Sequence, residues 1–383
     1  MKIVNIAGAR PNFMKVAPLL REMRKYLDIS PVLVHTGQHY DEKMAGQFFQ
    51  DLRIPEPDVF LEIGSGSHAY QTAEVMKRLE PVLQEIRPDV VVVVGDVNST
   101  MAAALTAVKF PIPVAHVEAG LRSFDRTMPE EINRLVTDVV SDYLFVSEES
   151  GQQNLLREGV DPSKIFLVGN VMIDSLEECR PLWKRSEIWS RFGFKEGEYA
   201  VVTLHRPANV DDPETLRGLV EALVEISARL PLLFPMHPRT RARVQEFGLE
   251  DSFTYLSLNS VFSLRSSILG IQHSALYCSE PLGYLDFMSL MAHARLVLTD
   301  SGGLQEETTV LGVPCLTLRE NTERPVTLTH GTNRLVGTST ARIIEEAIQI
   351  LETPKSIPIP PPLWDGRASE RIVSILRKIK LFS

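Results

Sequence analysis

Short apolar runs alternate with amphipathic stretches along most of the chain. Residues 3–7 and 32–36 are compact apolar runs, and residues 90–94 are five consecutive valines followed by Gly95 and Asp96. An unbroken β-branched run suits a strand buried on both faces, as a parallel sheet requires. Runs at 114–117, 144–146 and 165–168 continue the series, with helical periodicity between them over residues 16–27 and 69–86. This rhythm predicts a doubly wound α/β domain. A second series follows a helical, tryptophan-containing connector over residues 172–192. Its expected strands are 200–204, 232–235, 296–299 and 314–318, with helices over 214–229 and 304–311.

The expected fold class is therefore α/β, with two Rossmann-like doubly wound domains, residues 1–171 and 172–364. A proline-rich segment, 356–362, reads as an extended linker. After it, residues 366–379 carry Ile372, Ile375, Leu376 and Ile379 on one helical stripe. The tail from 365 to 383 is expected to pack back on the first domain. Ligands of open α/β sheets bind beyond the carboxyl ends of the strands, so the expected site is the cleft between the two domains. Residues 256–278 form a long apolar stretch with no element assigned to it: an inserted lid, a partner surface or an irregular loop.

A length of 383 residues agrees with two domains of roughly 100–200 residues each. The net charge of −9 argues against nucleic acid or an anionic membrane as the main partner. The three cysteines, Cys179, Cys278 and Cys315, are far apart and form no CxxC pair. That speaks against a disulfide framework or a cysteine-built metal site, and for a reducing compartment. The opening apolar run is too short for a signal peptide, and no later run reaches spanning length without a charge or proline. The expected location is cytoplasmic.

Six polar sets fall where strands end. GARPNFMK, residues 8–15, places Arg10 and Lys15 at a helix entrance, where N–H groups and cations attract anions. It is neither a Walker loop nor a GxGxxG motif, so nothing supports a nicotinamide cofactor. Asp96 follows the valine strand as a helix cap or a catalytic carboxylate, with Asn98, Ser99 and Thr100 as rival caps. Glu118 lies beyond the next strand and has no evident structural task, whereas Glu130 and Glu131 suit the N-terminal dipole of a helix. His205 and Arg206 end the first strand of the second series, and His237 ends another. In TDSGGLQEE, residues 299–307, Ser301, Gly302 and Gly303 open a helix onto which a phosphate can close, and Glu307 is a candidate acceptor for ribose hydroxyls.

These sets, with EPLGYLDFMSLM at 280–291, LGVPCLTLR at 311–319 and NTERP at 321–325, occur in an order that resembles the UDP-N-acetylglucosamine 2-epimerases of the non-hydrolysing type. The resemblance covers nearly the whole chain. It implies a GT-B architecture and interconversion of UDP-N-acetylglucosamine with UDP-N-acetylmannosamine, without cofactor or metal. The implied route eliminates UDP to give 2-acetamidoglucal and adds it back on the other face. Carried over position by position, Asp96, Glu118 and Glu130 are the acid/base candidates, with Glu131 as the rival of Glu130. His205 would assist the leaving phosphate. Arg10, Ser301, Gly302 and Gly303 would hold the diphosphate, Lys15 would support them, and Glu307 would hold the ribose. Gln38, His39, Arg206 and His237 match an activator site for a second UDP-sugar. A homodimer is implied. The chain departs from the commoner pattern at Ala9, Asn12, Pro207 and Ala208. Three other outcomes share these residues: an epimerase that hydrolyses the intermediate to free N-acetylmannosamine, a GT-B glycosyltransferase, and a UDP-sugar-binding regulator.

Overall fold

In the computed structural model, which describes residues 1–38, 54–257, 275–354 and 359–380, the chain forms two parallel sheets of seven strands each. The expected fold class, two Rossmann-like α/β units, is observed. The first sheet comprises β1 (Lys2–Ala7), β2 (Ser30–His35), β3 (Val59–Phe60), β4 (Val90–Val94), β5 (Val114–Val117), β6 (Tyr143–Val146) and β7 (Ile165–Leu167). Its spatial order is β3-β2-β1-β4-β5-β6-β7. The second comprises β8 (Ala200–Thr203), β9 (Leu232–Pro235), β10 (Thr254–Tyr255), β11 (Leu276–Ser279), β12 (Leu296–Thr299), β13 (Cys315–Thr317) and β14 (Asn333–Leu335), in the order β10-β11-β9-β8-β12-β13-β14. All five valines of β4 are buried, as a strand covered by helices on both faces demands.

Each sheet has a central switch point where the order turns back, between β1 and β4 and between β8 and β12. The chains leaving such neighbours diverge to opposite faces and open a crevice at the carboxyl edge. The candidate residues Lys15, Asp96, His205 and Ser301 all follow strands that flank these two reversals.

The remaining differences from expectation are local. The helix expected from residue 16 begins at Arg10. Asn12 sets this start: its Oδ1 accepts the N–H groups of Gly8 and Ala9 at 3.2 and 2.9 Å. Three strands without an expected counterpart are two- or three-residue edge or near-edge pieces, too short for a periodic signal. The apolar stretch 256–278 is not wholly an insertion. Its end is β11, a core strand lying between β10 and β9, while 258–274 lie outside the described residues.

The chain divides into two compact units, 1–178 with 361–383, and 179–360. Within the first, the helix Ala368–Lys380 packs against the helix Arg10–Met23 and buries Ile372, Val373 and Leu376. The Asp174 carboxylate accepts the N–H groups of Ala368 and Ser369 at 3.0 and 2.6 Å, satisfying the start of this last helix. The Trp364 indole is buried and donates to the Ser147 carbonyl at 2.9 Å. Gly169, at φ +88°, passes so close to the Leu363 carbonyl that a Cβ there would lie 2.1 Å from its oxygen. Trp364→Ala is expected to lower unfolding stability by about 3–5 kcal/mol, through lost area plus the cavity. Urea titration followed by circular dichroism checks this; a change under about 1 kcal/mol would show that the returning segment contributes little.

Candidate functional site

In the first unit the site grows from three strand ends. Lys15, one turn into the helix after β1, pairs directly with Glu118, the residue after β5; both are buried. Glu118 adopts φ +75°, the left-handed region that a non-glycine residue enters at a cost of about 1–2 kcal/mol. The conformation is held because the N–H groups of Glu118 and Ala119 both donate to the Phe145 carbonyl, at 3.0 and 3.1 Å. Gly95, at φ +68°, ends β4 beneath the pair: a Cβ there would lie 2.9 Å from Lys15 Nζ and 3.3 Å from Glu118 Oε2.

Asp96 is not a helix cap. The next helix, Asn98–Lys109, is capped at Val97 with no side-chain bond, and its Ser99 N–H is taken by Gln38 Oε1 at 3.1 Å. Asp96 instead pairs with Arg134 at 2.6 Å, with its side chain 28 % exposed. The two neighbouring glutamates then separate by environment. Glu131 is buried and fully engaged: it accepts from Ser123 N, Ser123 Oγ, Phe124 N and Arg134. Burial pushes its pKa up, but the Ser123 N–H and the Arg134 guanidinium outweigh that and hold it low. Glu130, half-buried in the first turn of the helix Pro129–Val140, has no hydrogen-bond or ion-pair partner among the described residues.

In the second unit β12 delivers Asp300 opposite the end of β8. Asp300 is fully buried and accepts the backbone N–H groups of His205 and Arg206 at 3.0 and 2.9 Å. Its other oxygen meets His205 Nδ1 at 2.8 Å. Burial alone would raise its pKa, but the imidazole and the two N–H groups bring it below the ordinary value. The carboxylate thus orients the ring, whose side chain is 48 % exposed and whose Nε2 has no partner among the described residues. Ser301 caps the helix Gly302–Leu311 by backbone position only; its hydroxyl makes no capping bond. A Cβ on Gly302 would lie 2.8 Å from Glu323 Oε1. Glu323 is buried against Arg319 at 2.9 Å, with Arg206 and Arg324 each at 3.8 Å. Despite burial, these three cations hold its pKa far below the usual range. Glu307 is the opposite case. Burial, then the Glu306 charge, push its carboxyl up to about 8, and its nearest hydroxyl, Tyr284 Oη, is 3.5 Å away.

The structure thus brings Lys15, Asp96 and Glu118 to one crevice, with Glu130 on the helix that carries Arg134. It brings His205, Arg206 and Ser301–Gly303 to another, with Glu307 one turn further along. Arg10 begins the helix after β1. Among the four activator candidates, Arg206 stands 3.8 Å from Glu323. Gln38 is committed to Ser99, His237 caps the helix Pro238–Glu246 by accepting Arg239 N–H at 3.2 Å, and His39 lies outside the described residues. Sequence reasoning missed Asp300, Arg134 and Glu323. For Asp300 a signal existed, since a carboxylate directly after a buried strand needs a partner; Arg134 and Glu323 have near partners in Glu131 and Arg319, but their contacts to Asp96 and Arg206 are remote in sequence. Among the described residues, no cluster of three or more His, Cys, Asp or Glu side chains could hold a metal ion, and no helix is long and apolar enough to cross a membrane.

The fold and these constellations define a protein of two Rossmann-like units, each with a polar crevice at its switch point. The chain belongs to the UDP-N-acetylglucosamine 2-epimerase family, which it matches over residues 21–377. It is 44 % identical over 381 residues to the UDP-N-acetylglucosamine 2-epimerase of Methanocaldococcus jannaschii, covering 98 % of this chain and 99 % of the relative. The crystal structure of Methanocaldococcus jannaschii UDP-GlcNAc 2-epimerase in complex with UDP-GlcNAc and UDP is similar with a TM-score of 0.86 and 42 % identity, covering 99 % of this chain and 100 % of the other. A Pseudomonas aeruginosa relative, a UDP-2,3-diacetamido-2,3-dideoxy-D-glucuronate 2-epimerase, is 40 % identical over 384 residues, covering 99 % of this chain and 100 % of the relative.

The raised pKa of Glu307 gives a pH signature. Its folded value lies above its unfolded one, so the stability it contributes is fully present below about pH 4.5 and is lost as pH rises to about 8. Glu307→Gln has no proton to lose. Its melting temperature relative to the unsubstituted protein is therefore expected to climb between pH 5 and pH 8.5. Thermal melts across that range check the sign; a difference constant with pH would place the Glu307 pKa in the ordinary carboxylate range.

Proposed function

We propose that the chain catalyses reversible epimerisation at carbon 2 of UDP-N-acetylglucosamine to UDP-N-acetylmannosamine, by elimination and re-addition of UDP. The observation that carries this reading is whole-chain similarity, at 42 % identity, to an epimerase bound to UDP-GlcNAc and UDP. The site chemistry supports it. The proton on carbon 2 is not activated by a carbonyl, so a base alone removes it poorly. Breaking the bond from carbon 1 to the diphosphate oxygen must first build positive charge at carbon 1, which nearby carboxylates stabilise. A carboxylate then takes the carbon 2 proton, the electron pair forms the glucal double bond, and UDP departs. Return of a proton to the opposite face, with re-addition of UDP, completes the inversion.

In this reading Asp96, Glu118 and Glu130 carry the proton transfers. Lys15 keeps Glu118 fixed and charge-compensated. His205, oriented through Nδ1 by Asp300, directs Nε2 to the departing phosphate. Arg10, Ser301, Gly302 and Gly303 bind the diphosphate, and Glu307 binds the ribose. Gln38, His39, Arg206 and His237 are proposed for a second UDP-sugar, with the Gln38 bond to Ser99 as an obstacle that binding would have to displace. The same reading includes a homodimer acting in the cytoplasm.

The assignment is tested by proton NMR of UDP-N-acetylglucosamine with the purified protein in deuterated water, without added cofactor. UDP-N-acetylmannosamine carrying deuterium at carbon 2 is the expected product. Free N-acetylmannosamine with UDP would move the assignment to the hydrolysing type. Faster exchange on UDP-2,3-diacetamido-2,3-dideoxy-glucuronate would keep the chemistry and change the sugar. The two adjacent glutamates give a sharper test. Glu130→Gln is expected to lower kcat about 100- to 10,000-fold with an unchanged melting curve. Glu131→Gln leaves buried Arg134 short of a partner and is expected to destabilise the fold by about 3–5 kcal/mol. The reverse pattern would exchange their roles.

A further inference from the structure

Behind the first-unit crevice lies a histidine that the mechanism above does not use. His116, in the middle of β5, is fully buried. Its Nε2 lies 2.8 Å from the carbonyl oxygen of Gly95, the residue that joins β4 to Asp96 and underlies the Lys15–Glu118 pair. A carbonyl has no proton to give, so Nε2 must donate. Its Nδ1 lies 2.6 Å from Asp138 Oδ1. The other Asp138 oxygen accepts the Gly120 N–H at 3.1 Å and the Arg122 guanidinium at 2.7 Å. Arg122 is in turn paired with Glu158 at 2.7 Å. An Asp138 oxygen held by a guanidinium and an N–H is that of a carboxylate, which leaves the Nδ1 proton on the ring. Burial acts to raise the Asp138 pKa, but His116 and Arg122 more than offset it.

We propose that His116 is a positioning residue that works as a buried imidazolium, with both ring nitrogens donating, and that it fixes the Gly95–Asp96 turn and hence the geometry of Asp96 and Glu118. Asp138, Arg122 and Glu158 form the rest of a four-residue set of alternating charge, two positive and two negative. Lys15 and Glu118 stand against the Cα of the same Gly95 whose carbonyl His116 meets, so two basic side chains bear on the turn next to the candidate base. A neutral imidazole satisfies only one of the two acceptors and leaves a buried oxygen without a proton donor, which low-dielectric surroundings penalise. A turn released by that loss displaces Asp96 and Glu118 together, and a misplacement of about 1 Å lowers turnover on the order of 100-fold.

The proposal rests on the epimerase reading only for its kinetic arm. The charge state is decided by nitrogen-15 NMR of the full chain labelled at histidine, with His116→Gln assigning one of the nine histidines. Two protonated ring nitrogens are expected at pH 7.5; a neutral tautomer there overturns the proposal whether or not the chain turns over substrate. In the kinetic arm, His116→Gln is expected to lower kcat about 100-fold, with KM within about threefold and a matching loss of carbon 2 exchange. Turnover within twofold of the unsubstituted enzyme overturns the positioning role. Asp138→Asn keeps the ring but removes the anion that holds its charge. It should gain a kcat limb that falls with rising pH through the ordinary imidazole range and recovers below it. A pH profile parallel to that of the unsubstituted enzyme counts against the imidazolium. If no unsubstituted turnover is found, the activity proposed above fails and the nitrogen measurement still judges His116.

Discussion

Charge taken out of water at the carboxyl ends of parallel strands must be compensated there, and that requirement organises both units. An ion moved into the protein loses several kcal/mol of solvation even after relaxation. Glu118, Glu131 and Asp138 in the first unit, and Asp300, Glu306 and Glu323 in the second, are all buried. Each is met by fixed donors: Lys15 for Glu118, Arg134 and the Ser123 N–H for Glu131, His116 and Arg122 for Asp138. Asp300 takes His205 and two backbone N–H groups, Glu323 takes Arg319, and Glu306 takes Arg324 at 2.6 Å. Parallel sheets supply the backbone for this, because every strand ends on the same edge and the switch point leaves two ends uncovered.

Backbone strain follows from the same requirement. Glu118 must turn its carboxylate toward Lys15 directly after a strand, and it does so at φ +75°. Gly95 accepts a matching positive φ and leaves room for the pair above it. Gly8 repeats the logic at the end of β1, where a Cβ would lie 2.4 Å from Ser99 Oγ. The helix after β4 can therefore start close against β1, with Gln38 capping it from a neighbouring strand end in place of a local side chain. Such positions are stable because the surrounding bonds over-determine them, and strain of this kind collects at functional sites.

The amino-acid pattern made the frame legible. The five valines of β4 and the runs at β5, β9 and β12 announce buried parallel strands, and the observed boundaries agree closely. What was hidden had physical causes. Asp96 looks like a cap because its partner, Arg134, is 38 residues away. The Asp300–His205 pair spans 95 residues and exists only once β8 and β12 are neighbours. Glu130 and Glu131 are equivalent by propensity and dipole; only the Ser123–Phe124 turn, folded over one of them, tells them apart. β11 was hidden inside an apolar run whose periodicity does not distinguish a core strand from an insertion.

Compensation is uneven, and the unevenness marks the candidate chemistry. Glu131, Asp138 and Asp300 have their oxygens met by fixed donors, so their charges are structural and they are not free to take up a proton. Asp96 has one guanidinium and partial exposure. Glu130 has no partner among the described residues. Glu307 is buried beside another carboxylate, and the two effects together push its carboxyl up to about 8. His205 is anchored at one nitrogen, and the other has no partner among the described residues. A general acid or base must be able to exchange a proton with substrate, and a saturated ion has no such capacity. The same argument separates His116 from His205. Both face a buried aspartate through Nδ1, but the His116 Nε2 ends on a main-chain carbonyl, whereas the His205 Nε2 has no partner among the described residues.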